Sequence, residues 1–144
     1  MEQNKLLIIS VNAHLDQINY NCNNLPEKEG QVNVQQILSV LTCDSEKISI
    51  KMERKLLIGE SNNPFLIVSA IGDFFLSSET KDNFENHDEM LEYANKRAGF
   101  LVDKIQMGAF LSQLIANITG TFANAPIVLP PIISDDNHNE EQKS

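Results

Sequence analysis

The sequence predicts an α+β fold, in which a four-stranded antiparallel sheet packs against a long C-terminal helix. In the first half of the chain, apolar and polar residues alternate over several segments, as they do in half-buried strands. Short polar connections separate these segments, which is typical of an antiparallel meander. The second half contains a helix-like run from Gly99 to Gly120, whose apolar residues recur at helical spacing.

The first predicted strand runs from Leu6 to Leu15 and carries apolar residues at alternate positions. The alternation changes phase after Leu15. The next apolar residues are Ile18, Tyr20 and Cys22. A change of phase by one residue is what a β-bulge produces, so we predict a bulge at Asp16-Gln17.

Three further strands are predicted from residue 32 onward. The second, Val32 to Cys43, has apolar residues on one face, and the third, Ile48 to Ile58, alternates most regularly. The fourth, Phe65 to Ser77, is apolar on both faces and is therefore predicted to lie inside the sheet. Turn-forming residues at 44–46 and 59–64 separate these strands.

The helical part begins after an acidic loop, with Asp88 as the predicted N-cap of a first stretch, Glu89 to Lys96. Whether Gly99 separates this stretch from the main helix is left open. Gly120 is predicted to end the main helix. Residues 125–133 are predicted to be extended, because each Pro fixes φ and disfavours helix in the residue before it.

The apolar stripe of the main helix is wider than packing on one sheet face requires. One of its two rows contains Phe100, Met107, Leu111, Leu114 and Ile118. A helix that is apolar on two sides needs two surfaces to pack on, and a second copy of the chain is one way to supply the second. We therefore expect Met107, Leu111 and Leu114 to be candidates for an oligomer interface.

Length and charge limit the possible classes of protein. The 144 residues predict one domain at 1–134, followed by a polar acidic tail at 135–144 that buries too little surface to be ordered. The net charge of -9 argues against a nucleic-acid partner, because phosphates require a basic surface. No apolar run reaches the roughly 18 residues of a membrane span, and no basic signal-peptide region is visible. We therefore predict a cytoplasmic protein without membrane insertion.

Catalytic and metal-binding patterns are not visible in the sequence. The three histidines are scattered, and Cys22 and Cys43 lack metal-ligand spacing, so no metal or cofactor is predicted. We interpret the two cysteines as reduced thiols. No nucleophile elbow, P-loop or dinucleotide-binding motif occurs, and the acidic cluster from Asp82 to Glu92 fits a solvated helix start. The sequence therefore predicts no catalytic residues and no enzymatic activity.

The chain has more apolar surface than one small core requires. One interpretation is that the fourth strand and the wide helix simply pack on each other. The other is that the sheet or a strand edge also binds extended peptides, as exposed edges and apolar grooves do.

Several short motifs resemble the bacterial export chaperone SecB and its relatives. They are the order of four strands and a helix, Phe65-Leu66 at the start of the fourth strand, Gly72-Asp-Phe-Phe75, Gly120-Thr-Phe122 before a Pro-containing apolar segment, and Ile18-Asn-Tyr20 near the end of the first strand. The resemblance spans about Leu6 to Ile133. It implies a cytosolic dimer of dimers without enzymatic activity, which binds unfolded polypeptides in apolar grooves and passes them to the SecA motor.

The resemblance also implies a substrate groove. By position its candidates are Ile18, Tyr20, Val32 and Val34. Two departures affect the functional prediction. The positions of the family's SecA-docking acids hold Gln17, Asn21 and Val68 here, and the family's second helix is replaced by a short acidic tail.

The leading hypothesis is a SecB-like holdase for unfolded polypeptides, acting in protein export or for one dedicated client such as an antitoxin. It would act as a dimer or tetramer, with a SecA-type motor as a further partner. The alternative is a non-chaperone oligomeric adaptor or structural protein on the same fold.

Overall fold

The computed structural model describes residues 5–21, 31–59, 62–122 and 127–130. The strands are β1 (Ile8–Tyr20), β2 (Val32–Cys43), β3 (Lys47–Ile58) and β4 (Leu66–Leu76). A short 3-10 helix, Thr80–Asn83, precedes α1 (His87–Lys104) and α2 (Met107–Phe122). The four antiparallel strands and the helices confirm the predicted fold class. The predicted tail at 135–144 and Cys22 lie outside the described residues.

The strand order in the sheet is β1-β4-β3-β2. β2, β3 and β4 form the predicted meander, but β1 pairs with β4 rather than with β2. The prediction that all four strands form one meander is therefore wrong, since the chain crosses from one sheet edge to the other between β1 and β2. The apolar character of β4 agrees with its position inside the sheet.

The pairing of β1 with β4 is interrupted between Ile8 and Ser10 and again between Leu15 and Gln17. The second interruption leaves Asp16 outside the ladder, which confirms the predicted bulge. Directly opposite residues of an antiparallel pair share a face of the sheet. One face of the sheet carries the β4 residues Phe74, Gly72, Ala70, Val68 and Leu66. Opposite them on the same face lie the β1 residues Val11, Ala13, Leu15, Ile18 and Tyr20.

Both α-helices pack on that same face, α1 mainly over β2 and α2 mainly over β4. The core lies between them and the central strands, and includes Ile50, Met52, Phe74, Leu101 and Ile115. Burial of these side chains supplies the main driving force for folding. Neither α-helix in the described ranges combines the length and the apolar character needed to cross a bilayer.

The helical part consists of two helices rather than one long helix. Asn86 is the N-cap of α1, because its side chain accepts a hydrogen bond from the Glu89 amide at 2.8 Å. Gly99 lies inside α1, and the break comes at Ile105-Gln106, where Gln106 has φ of 57°. α2 continues past Gly120 to Phe122, so the predicted helix end comes too early.

The helix residues predicted for an oligomer interface lie mainly inside the single subunit. Met107 is 2% exposed and Leu111 is fully buried, while Leu114 is partly buried beside the core. The wide apolar stripe is therefore largely covered by the sheet of its own chain. Phe100 and Phe110 are the large apolar helix residues that remain exposed in the described part of the chain.

Candidate functional site

A row of exposed apolar side chains follows the edge strand β1. Its members are Leu7 (38% exposed), Ile9 (70%), Val11 (42%), Leu15 (44%) and Ile18 (45%). We call these residues the β1 apolar row. Among the described elements, β1 packs extensively only against β4, whereas the other edge strand, β2, lies under α1. The row is therefore apolar surface that the helices of the described chain leave largely uncovered, with only the end of α1 beside its start.

The start of the row opens into an apolar groove of about 470 Å³. One wall is formed by Leu6, Leu7, Ile8, Ile9 and Val11, and the other by Phe74, Leu101, Lys104 and Ile105. The groove thus lies between the edge strand and the end of α1, with Lys104 as its charged wall residue. Its size falls within the range of pockets that hold small molecules or a few side chains.

The backbone of β1 adds a second binding element to this surface. As an edge strand, β1 turns alternate N–H and C=O groups away from β4. An extended polypeptide can pair with such an edge while its alternate side chains enter neighbouring apolar sites. The arrangement therefore suits a polypeptide ligand whose sequence is loosely defined.

The structure places the four predicted groove residues at one end of the sheet, but at opposite edges. Tyr20 and Val34 lie on a single row that crosses all four strands through Leu66 and Leu56. At a spacing of about 4.8 Å between strands, these two edge residues are roughly 14 Å apart. Ile18 is exposed, whereas Tyr20, Val32 and Val34 pack partly against the core.

Ile127–Pro130 lies beside α2 near this end of the sheet. The Ile127 amide donates to Thr119 Oγ1 at 2.7 Å, and the Pro130 carbonyl accepts from Ser112 Oγ at 3.0 Å. Ser112 and Thr119 are two turns apart on one face of α2, a rise of about 10 Å. Only an extended chain covers that distance in so few residues. This agrees with the predicted extended segment for the part of it that is described.

Arg54 lies beneath this segment and is fully buried. Its guanidinium donates to Gln36 Oε1 at 2.9 Å, to Ser112 Oγ at 2.6 Å and to the Gly108 carbonyl at 3.2 Å. Its contact with the Pro130 carbonyl is 3.5 Å long. Burial lowers the pKa of Arg54 to about 10, so the side chain is still protonated at neutral pH.

The sequence prediction did not identify Arg54. A signal was present, because Arg54 occupies the apolar phase of the third strand, between Met52 and Leu56. A charged residue at such a position either lies in the core with polar partners or marks the point where that face of the strand becomes exposed to solvent. The structure shows the first of these.

The sheet face opposite the helices carries two polar clusters. The Asp73 carboxylate accepts a hydrogen bond from Ser49 Oγ and lies 3.9 Å from His14 Nδ1. The acid thus stands between the other two residues, whereas a catalytic triad needs the histidine in the middle. Within the described ranges, no group of three or more His, Cys, Asp or Glu residues is arranged to hold a metal ion.

The second cluster surrounds the bulge residue Asp16. Its carboxylate accepts from Ser69 Oγ at 2.9 Å and lies 3.3 Å from Lys51 Nζ. The hydrogen bond from Ser69 is the largest cause that lowers the pKa of Asp16; burial opposes it, and Lys51 lowers the pKa further. We assign this cluster to fixing the bulge, and hence the direction of the β1 apolar row.

No protein-family model matches the sequence, and no curated protein matches it. Among solved structures, the chain is similar to the Mycobacterium tuberculosis Rv1957 SecB-like chaperone in complex with a ChAD peptide from the Rv1956 HigA1 antitoxin. That match has a TM-score of 0.55 and 14% identity, and covers 85% of this chain and 88% of the other. A protein of unknown function from Streptococcus agalactiae matches at a TM-score of 0.30 and 15% identity, over 85% of this chain and 99% of the other. The first likeness shows that this chain shares the fold of a SecB-like chaperone.

Proposed function

We propose, from the fold that this chain shares with a SecB-like chaperone, that it is a holdase for unfolded or extended polypeptides. The observation that carries the proposal is the β1 apolar row, which lies on an edge strand and is largely uncovered by the described helices. The likeness to a chaperone that binds an antitoxin peptide supports it. In this proposal the β1 backbone pairs with the client, and the row and its groove bind the client's apolar side chains.

The energetics favour long clients over short ones. A fully buried Val, Leu or Ile stabilises by about 1.5–3 kcal/mol, so a half-exposed one offers about 1 kcal/mol on binding. The five residues of the row together offer roughly 5 kcal/mol, against an association cost of about 4–15 kcal/mol. One row alone therefore binds weakly, and several linked sites are needed to hold a client firmly.

Self-association would supply those linked sites, so we propose that the active form is a homodimer or homotetramer. Of the three helix residues first considered for the interface, Leu114 is the one that is partly exposed. Tyr20, Val32 and Val34 remain proposed client contacts at the far end of the sheet. The proposal assigns no catalytic residue, metal or cofactor to the protein, and places it in the cytoplasm.

A dedicated client, such as an antitoxin, fits the chain better than general protein export. The positions expected to dock a SecA motor hold Gln17, Asn21 and Val68 instead of acids. Val68 is also fully buried beneath the helices, where no motor can reach it. We therefore propose client binding without SecA docking at these three positions.

The proposal is tested by mixing the purified protein with a chemically denatured protein that aggregates on dilution. A holdase suppresses the light scattering of the client at stoichiometric amounts, and size-exclusion chromatography recovers a complex. The same client in its native state is the control and should not bind. Full scattering in the presence of excess protein would contradict the proposal.

The alternative is an oligomeric adaptor that binds one folded partner. The position of β1 at the edge of the described sheet favours it, because a strand of a folded protein can pair with such an edge. Recovery of a single folded partner, together with no affinity for denatured chains, would support the adaptor.

A further inference from the structure

We propose that Ile127–Pro130 occupies a second polypeptide-binding groove, which lies beside α2 and is separate from the β1 apolar row. Client segments with apolar residues at two alternate positions displace it from this groove. This inference rests on the proposed function and names the class of segment that the protein recognises.

The segment is held by contacts that any polypeptide can make. Thr119 Oγ1 accepts from a backbone amide at 2.7 Å, and Ser112 Oγ donates to a backbone carbonyl at 3.0 Å. Arg54 Nη1 approaches the same carbonyl at 3.5 Å. All three partners on the groove side are side chains, and both partners on the segment side are backbone atoms. Backbone recognition of this kind is independent of the segment's sequence.

Side-chain selection comes from the alternation within the segment. Ile127 and Leu129 are partly buried against the core, whereas Val128 between them is 80% exposed. The groove therefore selects an apolar side chain at the first and third positions and leaves the second position free. Many stretches of an unfolded protein meet this requirement, because strand-forming sequences alternate in the same way.

The polar groups of the groove favour exchange of segments over an empty groove. Thr119 and Arg54 are fully buried, and Ser112 is nearly so. Thr119 Oγ1 also bonds the Ile115 carbonyl and Ser112 Oγ also accepts from Arg54, so an emptied groove loses only the two hydrogen bonds to the segment. Each such bond is worth about 0.5–1.5 kcal/mol, so removing the segment with no replacement is unfavourable. A client segment that supplies an amide and a carbonyl at the same spacing restores these hydrogen bonds. Ile127–Pro130 thus acts as a tethered internal competitor.

The test uses the full-length protein and a fluorescent synthetic peptide with the sequence of residues 125–132. In the variant Leu129→Asp the internal segment loses one of its two inward side chains, so the labelled peptide should bind at least about tenfold more tightly than to the wild type. Val128→Asp adds the same charge at the exposed position and should bind the peptide like the wild type. Equal peptide affinity in all three proteins would overturn the proposal.

A second measurement needs no variant and is unaffected by folding defects. Hydrogen exchange at the Ile127 amide is followed in the wild type, with and without a reduced and alkylated protein that stays unfolded. Displacement predicts faster exchange at Ile127 when this client is bound. If the client binds and the exchange of Ile127 is unchanged, the second groove is excluded while the holdase function stands. If no client binds at all, the proposed function fails instead.

Discussion

Gly72 and Met107 approach so closely that a Cβ added at residue 72 would stand 3.0 Å from Met107 Cε. Ile105 Cδ1 would lie at the same distance, so the connection between α1 and α2 rests directly on this glycine. The break between the two helices lies at this contact. Ile105 and Met107 both reach down to the sheet, and Gln106 between them adopts the left-handed conformation.

We expect Gly72→Val to destabilise the protein by about 2–3 kcal/mol, because it overpacks this contact. Gly72→Ala should cost about 1 kcal/mol or less, since the atoms that it meets are the ends of flexible side chains. Both free energies of unfolding are measured by urea denaturation. Equal stabilities for Gly72→Val and the wild type would contradict the close approach.

Gly99→Ala is the matched control and a prediction of its own. Gly99 lies inside α1, and a Cβ there would be 4.0 Å from Leu38 Cδ1, an ordinary contact. Alanine is a better helix former than glycine, so this variant should be about 1 kcal/mol more stable than the wild type. Destabilisation would mean that α1 packs more tightly on β2 than the structure indicates.

The sequence was sufficient for features whose cause is local. The bulge at Asp16 follows from the change of phase between Leu15 and Ile18, which is visible in the sequence. The break at Gln106 has no such signal, because a glutamine there takes the conformation that usually favours glycine. The residues on either side of the break pack on the distant Gly72, a contact that only the folded chain reveals.

The candidate site was only partly predictable for a related reason. Alternation in β1 identifies an apolar face, but does not show whether another element covers it. The structure leaves Val11 and Leu15 exposed because β1 is an edge strand next to β4, a pairing that the local pattern does not specify. Ile18 was predicted from the family resemblance, and it is an exposed member of the β1 apolar row.

Replacement of Arg54 should destabilise the core. Arg54→Ala removes the hydrogen bonds to Gln36, Ser112 and Gly108 and leaves buried polar groups to be satisfied elsewhere, at a cost of about 3 kcal/mol or more. Arg54→Lys keeps the charge but not the planar set of donors, so an intermediate loss is expected. The control is Lys55→Ala, on the opposite face of β3, which should change stability by less than about 1 kcal/mol. The free energy of unfolding, measured by thermal or urea denaturation, should fall in the order Lys55→Ala, Arg54→Lys, Arg54→Ala.

Stability should depend on pH through Asp16. Because its pKa is lowered in the folded protein, the carboxylate contributes stability above its ordinary pKa of 3.8. That contribution is lost as the pH falls through the lower, folded-state pKa. The Asp16 side chain is 32% exposed and lies at the surface, so solvent screening limits the effect to less than about 1 kcal/mol.

The comparison that isolates this effect is wild type against Asp16→Asn, unfolded by urea at pH 7 and at pH 2.5. Asparagine keeps an acceptor for Ser69 but cannot pair with the Lys51 charge. The wild type should be the more stable protein at pH 7, and the difference should shrink at pH 2.5. If the stability difference between the two proteins is larger at pH 2.5, folding raises the pKa of Asp16 instead of lowering it.

Charged substitutions in the β1 apolar row should weaken client binding with little loss of stability. Val11 and Ile18 are about half exposed, so an aspartate at either position keeps contact with water and costs the folded protein about 1 kcal/mol. A bound client, in contrast, would have to bury the charge. We expect Val11→Asp and Ile18→Asp each to weaken binding of an unfolded client at least about tenfold.

Asn19→Asp is the matched control for Ile18→Asp. Asn19 pairs with Ile67 and lies on the opposite face of β1, so its variant carries the same added charge next to the row but outside it. Binding is measured by fluorescence anisotropy with a labelled, permanently unfolded protein, and stability by urea denaturation. If Asn19→Asp weakens binding as much as Ile18→Asp, the effect is one of net charge, and the β1 apolar row does not bind the client.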